Sequence, residues 1–102
     1  MTVYNLTVSV DPAIEAEWIV WQQQVFIPGV MGTGLFREYR FYRLLETPAQ
    51  EGGNTFVFQF TAAGPEQYER FRRDHAAGLL EGARATWGDR FVYFQTVMEA
   101  VQ

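Results

Sequence analysis

The chain has 102 residues, of which 48% are hydrophobic and 17% aromatic, a composition that suits one folded domain over 1–102 and excludes a disordered chain. The net charge is −4 and all eight cations are Arg, which argues against nucleic acid as a partner. Cysteine is absent, which excludes disulfides and thiolate metal sites, and no uncharged apolar stretch approaches the ~18 residues of a membrane span. We therefore expect a cytoplasmic protein that does not bind a membrane.

The first predicted strand opens the chain, because apolar side chains alternate there with smaller or polar ones. Asp11 and Pro12 then predict a helix start, since Asp accepts hydrogen bonds from free helical N–H groups and Pro has none to lose. The core-facing residues of this strand are expected to be Tyr4, Leu6, Val8 and Val10.

The first helix is predicted from apolar residues that recur at helical spacing. Gln22, Gln23 and Gln24 are expected to face solvent, and Pro28 is expected to kink or stop the helix. Its apolar stripe is predicted to comprise Ile14, Trp18, Trp21 and Val25.

The second strand, predicted over Leu35–Glu46, mixes aromatic and charged residues on both faces, which is typical of an edge strand. Its odd-numbered set includes Tyr39 and Phe41, which would line an open sheet face if that set points away from the helices. A polar loop is predicted over Thr47–Gly53.

The third strand, Asn54–Thr61, places Phe56, Phe58 and Phe60 on one face. Burying a Phe is worth roughly 1.5–3 kcal/mol, so this strand is predicted to lie centrally beneath the helices. The last strand is predicted over Arg90–Ala100 from its alternating pattern.

A second helix is predicted to begin at Gly64–Pro65 and to be capped by Gly88. Gly78 and Gly82 weaken its interior, so a break or kink is expected near Ala76–Gly78. Its buried stripe is predicted to comprise Tyr68, Phe71, His75 and Leu79.

The order β-α-β-β-α-β predicts an α+β, ferredoxin-like fold, with a four-stranded antiparallel sheet, two helices on one face, and the first and third strands in the centre. The other face is expected to carry apolar or aromatic side chains at its flanks, from the second and last strands, around a centre formed by Asn5, Thr7, Val57, Gln59 and Thr61. A second copy of the chain is the natural cover for such a face, so we expect a sheet-to-sheet homodimer. The alternative is a monomer with a moderately polar open face.

Several segments resemble an uncharacterised bacterial family labelled as a domain of unknown function, of the dimeric α+β barrel type. The resemblance is carried by Val3–Pro12, Trp18, Ile27-Pro28, Gly53–Thr61, Asp74-His75-Ala76 and Gly88–Phe91, and covers nearly the whole chain. It implies the fold and the dimer but no activity. Members of that family often have a His just before the Ile-Pro pair, where this chain has Phe26.

The candidate site is a pocket between sheet and helices, with His75 as the sole imidazole of the chain. The competing interpretations are a structural, buried His and ordinary aromatic core packing. One His and no Cys make a metal site unexpected. The predicted pocket residues are Phe26, Phe58, Phe60, Tyr68, His75 and Trp87.

Haem-degrading enzymes of the dimeric α+β barrel type offer an analogy, in which His75, Tyr68 and Asn5 would correspond to functional positions. Strand parity argues against it, because Asn5 should point away from the helices and from His75. An RNA-binding interpretation fails because no basic residue precedes Phe56-Val57-Phe58 and Gln59 follows it.

The leading prediction is therefore a non-enzymatic homodimeric domain with no cofactor. The alternative is a protein that binds a small hydrophobic or aromatic molecule, or a monooxygenase of the cofactor-independent or haem-degrading type, with its pocket between sheet and helices.

Overall fold

The computed structural model describes residues 1–46 and 54–102; the predicted loop Thr47–Gly53 lies outside them. In chain order the elements are β1 (Thr2–Val10), α1 (Glu15–Trp21), α2 (Ile27–Met31), β2 (Glu38–Arg43), β3 (Asn54–Ala62), α3 (Pro65–Phe71), α4 (Ala77–Trp87) and β4 (Phe91–Glu99). A π-helical turn at Gln22–Phe26 joins α1 to α2, and another at Arg72–Ala76 joins α3 to α4. Each pair is thus one continuous helix, called here the first helix (15–31) and the second helix (65–87).

The four strands form one antiparallel sheet in the order β2-β3-β1-β4, which confirms the ferredoxin-like prediction with β1 and β3 in the centre and β2 at an edge. In the central register Leu6 lies opposite Phe58 of β3 and Gln95 of β4. Directly paired residues share a sheet face. Once the orientation of one residue on a strand is known, the register and the alternation of side chains therefore identify all those that face the helices.

Both helices pack on the face that carries the three Phe side chains of β3. Trp18 of the first helix lies 5.1 Å from the Phe56 ring, and Phe26 lies 5.5 Å from the Phe58 ring. From the second helix, Phe71 lies 5.4 Å from the Tyr4 ring. Aromatic pairs at such distances add to the burial of their area. The core-facing prediction for Tyr4, Leu6, Val8 and Val10 is confirmed, since all four are buried.

The first helix differs from its predicted stripe because of the π-helical turn. The Ile27 N–H donates to the carbonyl of Gln22, five residues back, so the turn holds one extra residue and rotates the later part of the helix. Gln22 and Phe26 are consequently buried, at 3% and 4% exposure, while Val25 is 49% exposed. The predictions of a solvated Gln22 and a buried Val25 are wrong. The helix also does not stop at Pro28, because it continues as α2 to Met31.

The second helix departs from prediction in the same way. Its π-helical turn brings Ala76 into the core and leaves His75 exposed, so the prediction of a buried His75 is wrong. The expected break near Ala76–Gly78 is also absent in this described helix, which runs from α3 through the turn into α4. The predicted cap at Gly88 is confirmed: its N–H donates to the Arg84 carbonyl at 2.7 Å and its φ is 61°.

Strand β2 is shorter than predicted. Its odd-numbered side chains point toward the helices, whereas an aromatic open face would have required them to point away. Tyr39 pairs with Phe60 and Phe41 with Phe58, so both side chains lie on the helix side. The ring centroids of Phe41 and Phe58 are 4.4 Å apart and the rings are nearly parallel. The residues of β2 on the open face are Glu38, Arg40 and Tyr42, whose partners on β3 are Thr61, Gln59 and Val57.

Candidate functional site

A small cavity of about 20 Å³ lies inside the helix-covered half of the molecule. Every layer contributes to it: β1, β3 and β4 form the floor, and both helices form the roof. A space of this size holds about one water molecule. It is lined by Leu6, Val8, Trp18, Gln22, Phe26, Phe58, Leu80, Ala83, Phe91 and Tyr93.

The carboxamide of Gln22 is the exception in this apolar lining. The π-helical turn that begins at Gln22 directs the side chain into the core, where it is 3% exposed. It makes no side-chain hydrogen bond within the described residues, but its amide atoms are not fully enclosed, because Trp87 Nε1 is the one buried side-chain polar atom there that lacks a partner. The Gln22 amide is therefore able to hydrogen-bond to a molecule that enters the cavity.

The cavity adjoins an open groove between the second helix and β4. Leu80 and Tyr93 line both spaces, and both side chains are half-buried. The groove is also lined by Glu81, Arg84 and Ala85. Separation of the Leu80 and Tyr93 side chains would therefore connect the cavity to solvent past Arg84.

The titratable groups near the cavity do not form an acid-base pair. Of the described residues in the lining, Tyr93 alone is titratable. Tyr4 lies in the adjacent core, where burial, and then the neighbouring Tyr68 and Tyr93, raise the pKa of its phenol far above the ordinary value. Its hydroxyl donates to Gln95 Oε1 at 2.6 Å. Tyr4 therefore stays protonated at physiological pH, and its side chain serves packing.

The structure separates the residues of the predicted pocket. Phe26 and Phe58 line the cavity. Phe60 lies in the neighbouring aromatic cluster, 5.6 Å from Phe36, and Tyr68 packs against Tyr4 at 5.5 Å. His75 is exposed beside Phe71, at 6.3 Å between ring centroids.

Trp87 packs edge-on against Trp21, with 6.2 Å between ring centroids. It does not line the cavity. Its indole N–H is buried without a hydrogen-bond partner in the described part of the chain. Eight lining residues lie outside the predicted pocket: Leu6, Val8, Trp18, Gln22, Leu80, Ala83, Phe91 and Tyr93. A signal for Gln22 was present in Pro28, since a proline within a helical pattern often accompanies a local change of helix geometry.

Two features are absent from residues 1–46 and 54–102, a cluster of metal-binding side chains and a long apolar helix. That part of the chain has no cluster of three or more His, Asp or Glu side chains suited to a metal ion. None of its helices combines the length and apolar character needed to cross a bilayer.

The open face of the sheet forms a second candidate surface. Its centre is polar: Gln59 Nε2 donates to Asn5 Oδ1 at 3.3 Å, and Asn5 Nδ2 donates to Thr7 Oγ1 at 3.2 Å. Its β4 edge is apolar, with Val92 65% and Phe94 61% exposed. Asn5 thus points away from the helices, as strand parity predicted, and shares no pocket with His75.

Comparison with known proteins places the chain in a family and in a fold. The family model described as a domain of unknown function (DUF4286) matches residues 1–101. No curated protein is significantly similar to the chain in sequence.

Solved structures resemble the chain over almost all of its length. An ethyl tert-butyl ether D (EthD) family protein from Bacillus halodurans has a TM-score of 0.68 at 12% identity, covering 99% of this chain and 100% of its own. HapK from Hahella chejuensis has a TM-score of 0.69 at 13% identity, covering 99% and 93%. SnoaB from Streptomyces nogalater, a cofactor-independent oxygenase, has a TM-score of 0.67 at 13% identity, covering 99% and 94%. At these identities the likeness shows the fold alone.

Proposed function

The chain belongs to the DUF4286 family of domains of unknown function, and for this member we propose a role in binding a small, neutral aromatic molecule in the cavity between sheet and helices. The observation that carries the proposal is the position of the Gln22 carboxamide, the polar group of a largely buried residue that lines the cavity among aromatic and aliphatic side chains. Ligand pockets typically combine such an apolar lining with a few polar groups that orient the ligand.

The lining determines the chemistry of the proposed ligand. Trp18, Phe26 and Phe58 offer ring faces and edges that suit a planar aromatic molecule. Gln22 offers an acceptor oxygen and two N–H donors, so a hydroxyl group can hydrogen-bond to it either as donor to Oε1 or as acceptor from Nε2. The space of about 20 Å³ is too small for a ring. Binding therefore requires the half-buried Leu80 and Tyr93 side chains to move outward toward the groove.

Phenol is the simplest probe of this role. We expect saturable binding, measured by ligand-detected NMR and by quenching of tryptophan fluorescence, to which Trp18 in the cavity lining contributes. Gln22→Leu keeps the side-chain size and removes the amide, so it should weaken phenol binding about tenfold while the fold is retained. The matched control is Gln59→Leu, which removes an amide from the open face and should leave binding unchanged. Equal binding by the wild type and Gln22→Leu would contradict the proposal, as would a failure of phenol to saturate.

We also propose that the chain forms a homodimer through the open face of the sheet. The support is the exposed apolar edge there, with Val92, Phe94 and Met98 all on one side of β4. Contiguous exposed apolar residues of this kind mark interaction surfaces. Sedimentation equilibrium at micromolar protein is expected to give twice the chain mass of 11.8 kDa. A single-chain mass would contradict the dimer and leave the cavity proposal intact.

Oxygenation of the bound molecule is a second candidate, favoured by the shared fold with SnoaB, a cofactor-independent oxygenase. Binding has the stronger support, because Tyr93 is the sole titratable group in the lining. Dioxygen uptake with a hydroquinone distinguishes the two. Uptake that saturates with the hydroquinone and falls in Tyr93→Phe would favour the oxygenase, whereas binding without uptake supports the simpler role.

A further inference from the structure

The groove outside the cavity contains a guanidinium group that has no ion-pair partner among the residues that the structure describes. Arg84 lies on α4 and is exposed, with its Cζ 5.6 Å from the centroid of the Phe91 ring. Phe91 itself lines the cavity. The ion pairs within residues 1–46 and 54–102 engage Arg40, Arg43, Arg72, Arg73 and Arg90 and leave Arg84 unpaired.

The positions of Arg84 and Gln22 relate the groove to the cavity. Leu80 and Tyr93 are shared by the two linings, so they form the wall between the buried carboxamide and the exposed guanidinium. A molecule that entered between them would meet Gln22 at its inner end and Arg84 at its outer end. Its inner part would be enclosed by rings, and its outer part would stay in contact with water.

We propose that the cavity and the groove form one site for an aromatic carboxylic acid, with the ring beside Gln22 and the carboxylate at Arg84. This inference rests on the ligand-binding role proposed above and adds the chemical class of the ligand. Arg suits the outer position because its planar guanidinium pairs with a carboxylate through two parallel hydrogen bonds.

Glu81 offers a second test of the charge of the ligand, because Glu81 lines the same groove as Arg84 and carries the opposite charge. It does not pair with Arg84 within the described structure, so both charges face the groove independently. A bound carboxylate would be attracted by Arg84 and repelled by Glu81. Neutralising each residue should therefore change acid binding in opposite directions.

The test compares 4-hydroxybenzoate with its methyl ester, which differs by the loss of the negative charge. We expect the wild type to bind the acid about tenfold more tightly than the ester. Arg84→Gln should abolish this preference without changing ester binding, and Glu81→Gln should increase it. Arg70→Gln is the matched control, since Arg70 is another exposed Arg on the second helix, outside the groove, and should leave the preference unchanged.

The outcomes separate the two proposals. Phenol binding with no preference for the acid, or with a preference retained in Arg84→Gln, would overturn the aromatic-acid inference and leave the ligand-binding role standing. A failure of phenol, acid and ester alike would overturn both. Leu80→Ala removes part of the wall between cavity and groove and should therefore increase the association rate of the acid. Because Arg84 is exposed, its variant should retain the wild-type melting temperature, which confirms that the fold is intact.

Discussion

The two faces of the sheet are built from alternate residues of the same four strands, yet they end in different environments. On the helix-covered face, Phe58 is 1% and Phe60 0% exposed, and aromatic side chains from the sheet and from both helices are buried there. On the open face, Phe94 is 61% exposed and the centre is held by the Asn5–Gln59 hydrogen bond. Alternation therefore identifies two sets of side chains, while burial depends on whether the chain supplies a layer to cover each set.

The largest effect is expected from removing a ring on the covered face. Phe58→Ala should lower the free energy of unfolding by about 3–5 kcal/mol, because Phe58 packs against Phe26, Phe41 and Trp18 and removal of its ring leaves a cavity among them. Urea denaturation measures the change. Val57→Ala, one residue away on the open face, should cost only about 1 kcal/mol. Similar losses for the two variants would mean that the faces are equally buried.

The next effect concerns the proposed partner of the open face. Phe94→Glu should raise the dimer dissociation constant at least about 100-fold, since it introduces a charge into an apolar contact surface. Sedimentation measures the shift toward the single-chain mass. Val97→Glu is the control: Val97 is also on β4 and 48% exposed, but it pairs with Tyr4 and so lies on the helix side. A dimer that survives Phe94→Glu would contradict sheet-to-sheet pairing.

A smaller effect contrasts the amides of the two faces. Gln22→Leu should increase the free energy of unfolding by up to about 1 kcal/mol, because it replaces an amide in an apolar lining with an apolar group of similar size. Gln59→Leu should decrease it by about 1 kcal/mol, because Asn5 loses its partner. Thermal and urea unfolding check both changes. A loss of stability in Gln22→Leu would show that Gln22 is already satisfied.

The smallest effect is a dependence on pH at the rim of the covered face. Hydrogen bonds from Asn54 and then Arg43 lower the pKa of Glu15 below its ordinary value of 4.5. The stabilisation of the folded state by the Glu15 carboxylate is therefore complete above pH 4.5. It is lost as the pH falls through the lower pKa that Glu15 has in the folded state. Glu15→Gln should cost about 0.5 kcal/mol at pH 7 and much less at low pH.

Urea unfolding at several pH values measures this dependence. The control is Glu38→Gln on the open face, where the Glu38–Arg40 pair at 3.3 Å has both side chains about half exposed, at 50% and 55%. Solvent screens such a pair, so its removal should have a smaller effect at every pH. A larger effect from Glu38→Gln would reverse the proposed difference between the faces.

The fold was predictable because its main signals are local. Alternation along β1 and β3 identified the buried faces, and the Asp11 cap and the Gly88 cap appear as expected, with Asp11 Oδ1 accepting from the Ala13 N–H at 2.9 Å. Such patterns depend on residues close in the chain. The order of elements then left few compact arrangements of four strands and two helices.

The candidate site was less predictable, because the phase of each helix changes partway along its length. Phe26 and Phe58 line the cavity, whereas His75, expected to be buried, is exposed, and Gln22, expected to be solvated, is buried. A helical stripe assumes 3.6 residues per turn, and each π-helical turn adds one residue. Every position after that turn then faces a different direction from the one that the spacing predicts.

The amino-acid pattern alone specified the elements, the central strands and the ring-bearing face of β3, because period, caps and turns act over a few residues. Packing between distant elements decided the rest. Both faces of β2 mix aromatic and charged residues, so its orientation was settled only by the stacking of Phe41 on Phe58. The inward direction of Gln22 likewise depends on the π-helical turn of the folded helix. The physical reason is that a strand's parity and a helix's phase are chosen by the surface against which they pack, and that surface exists only in the folded chain.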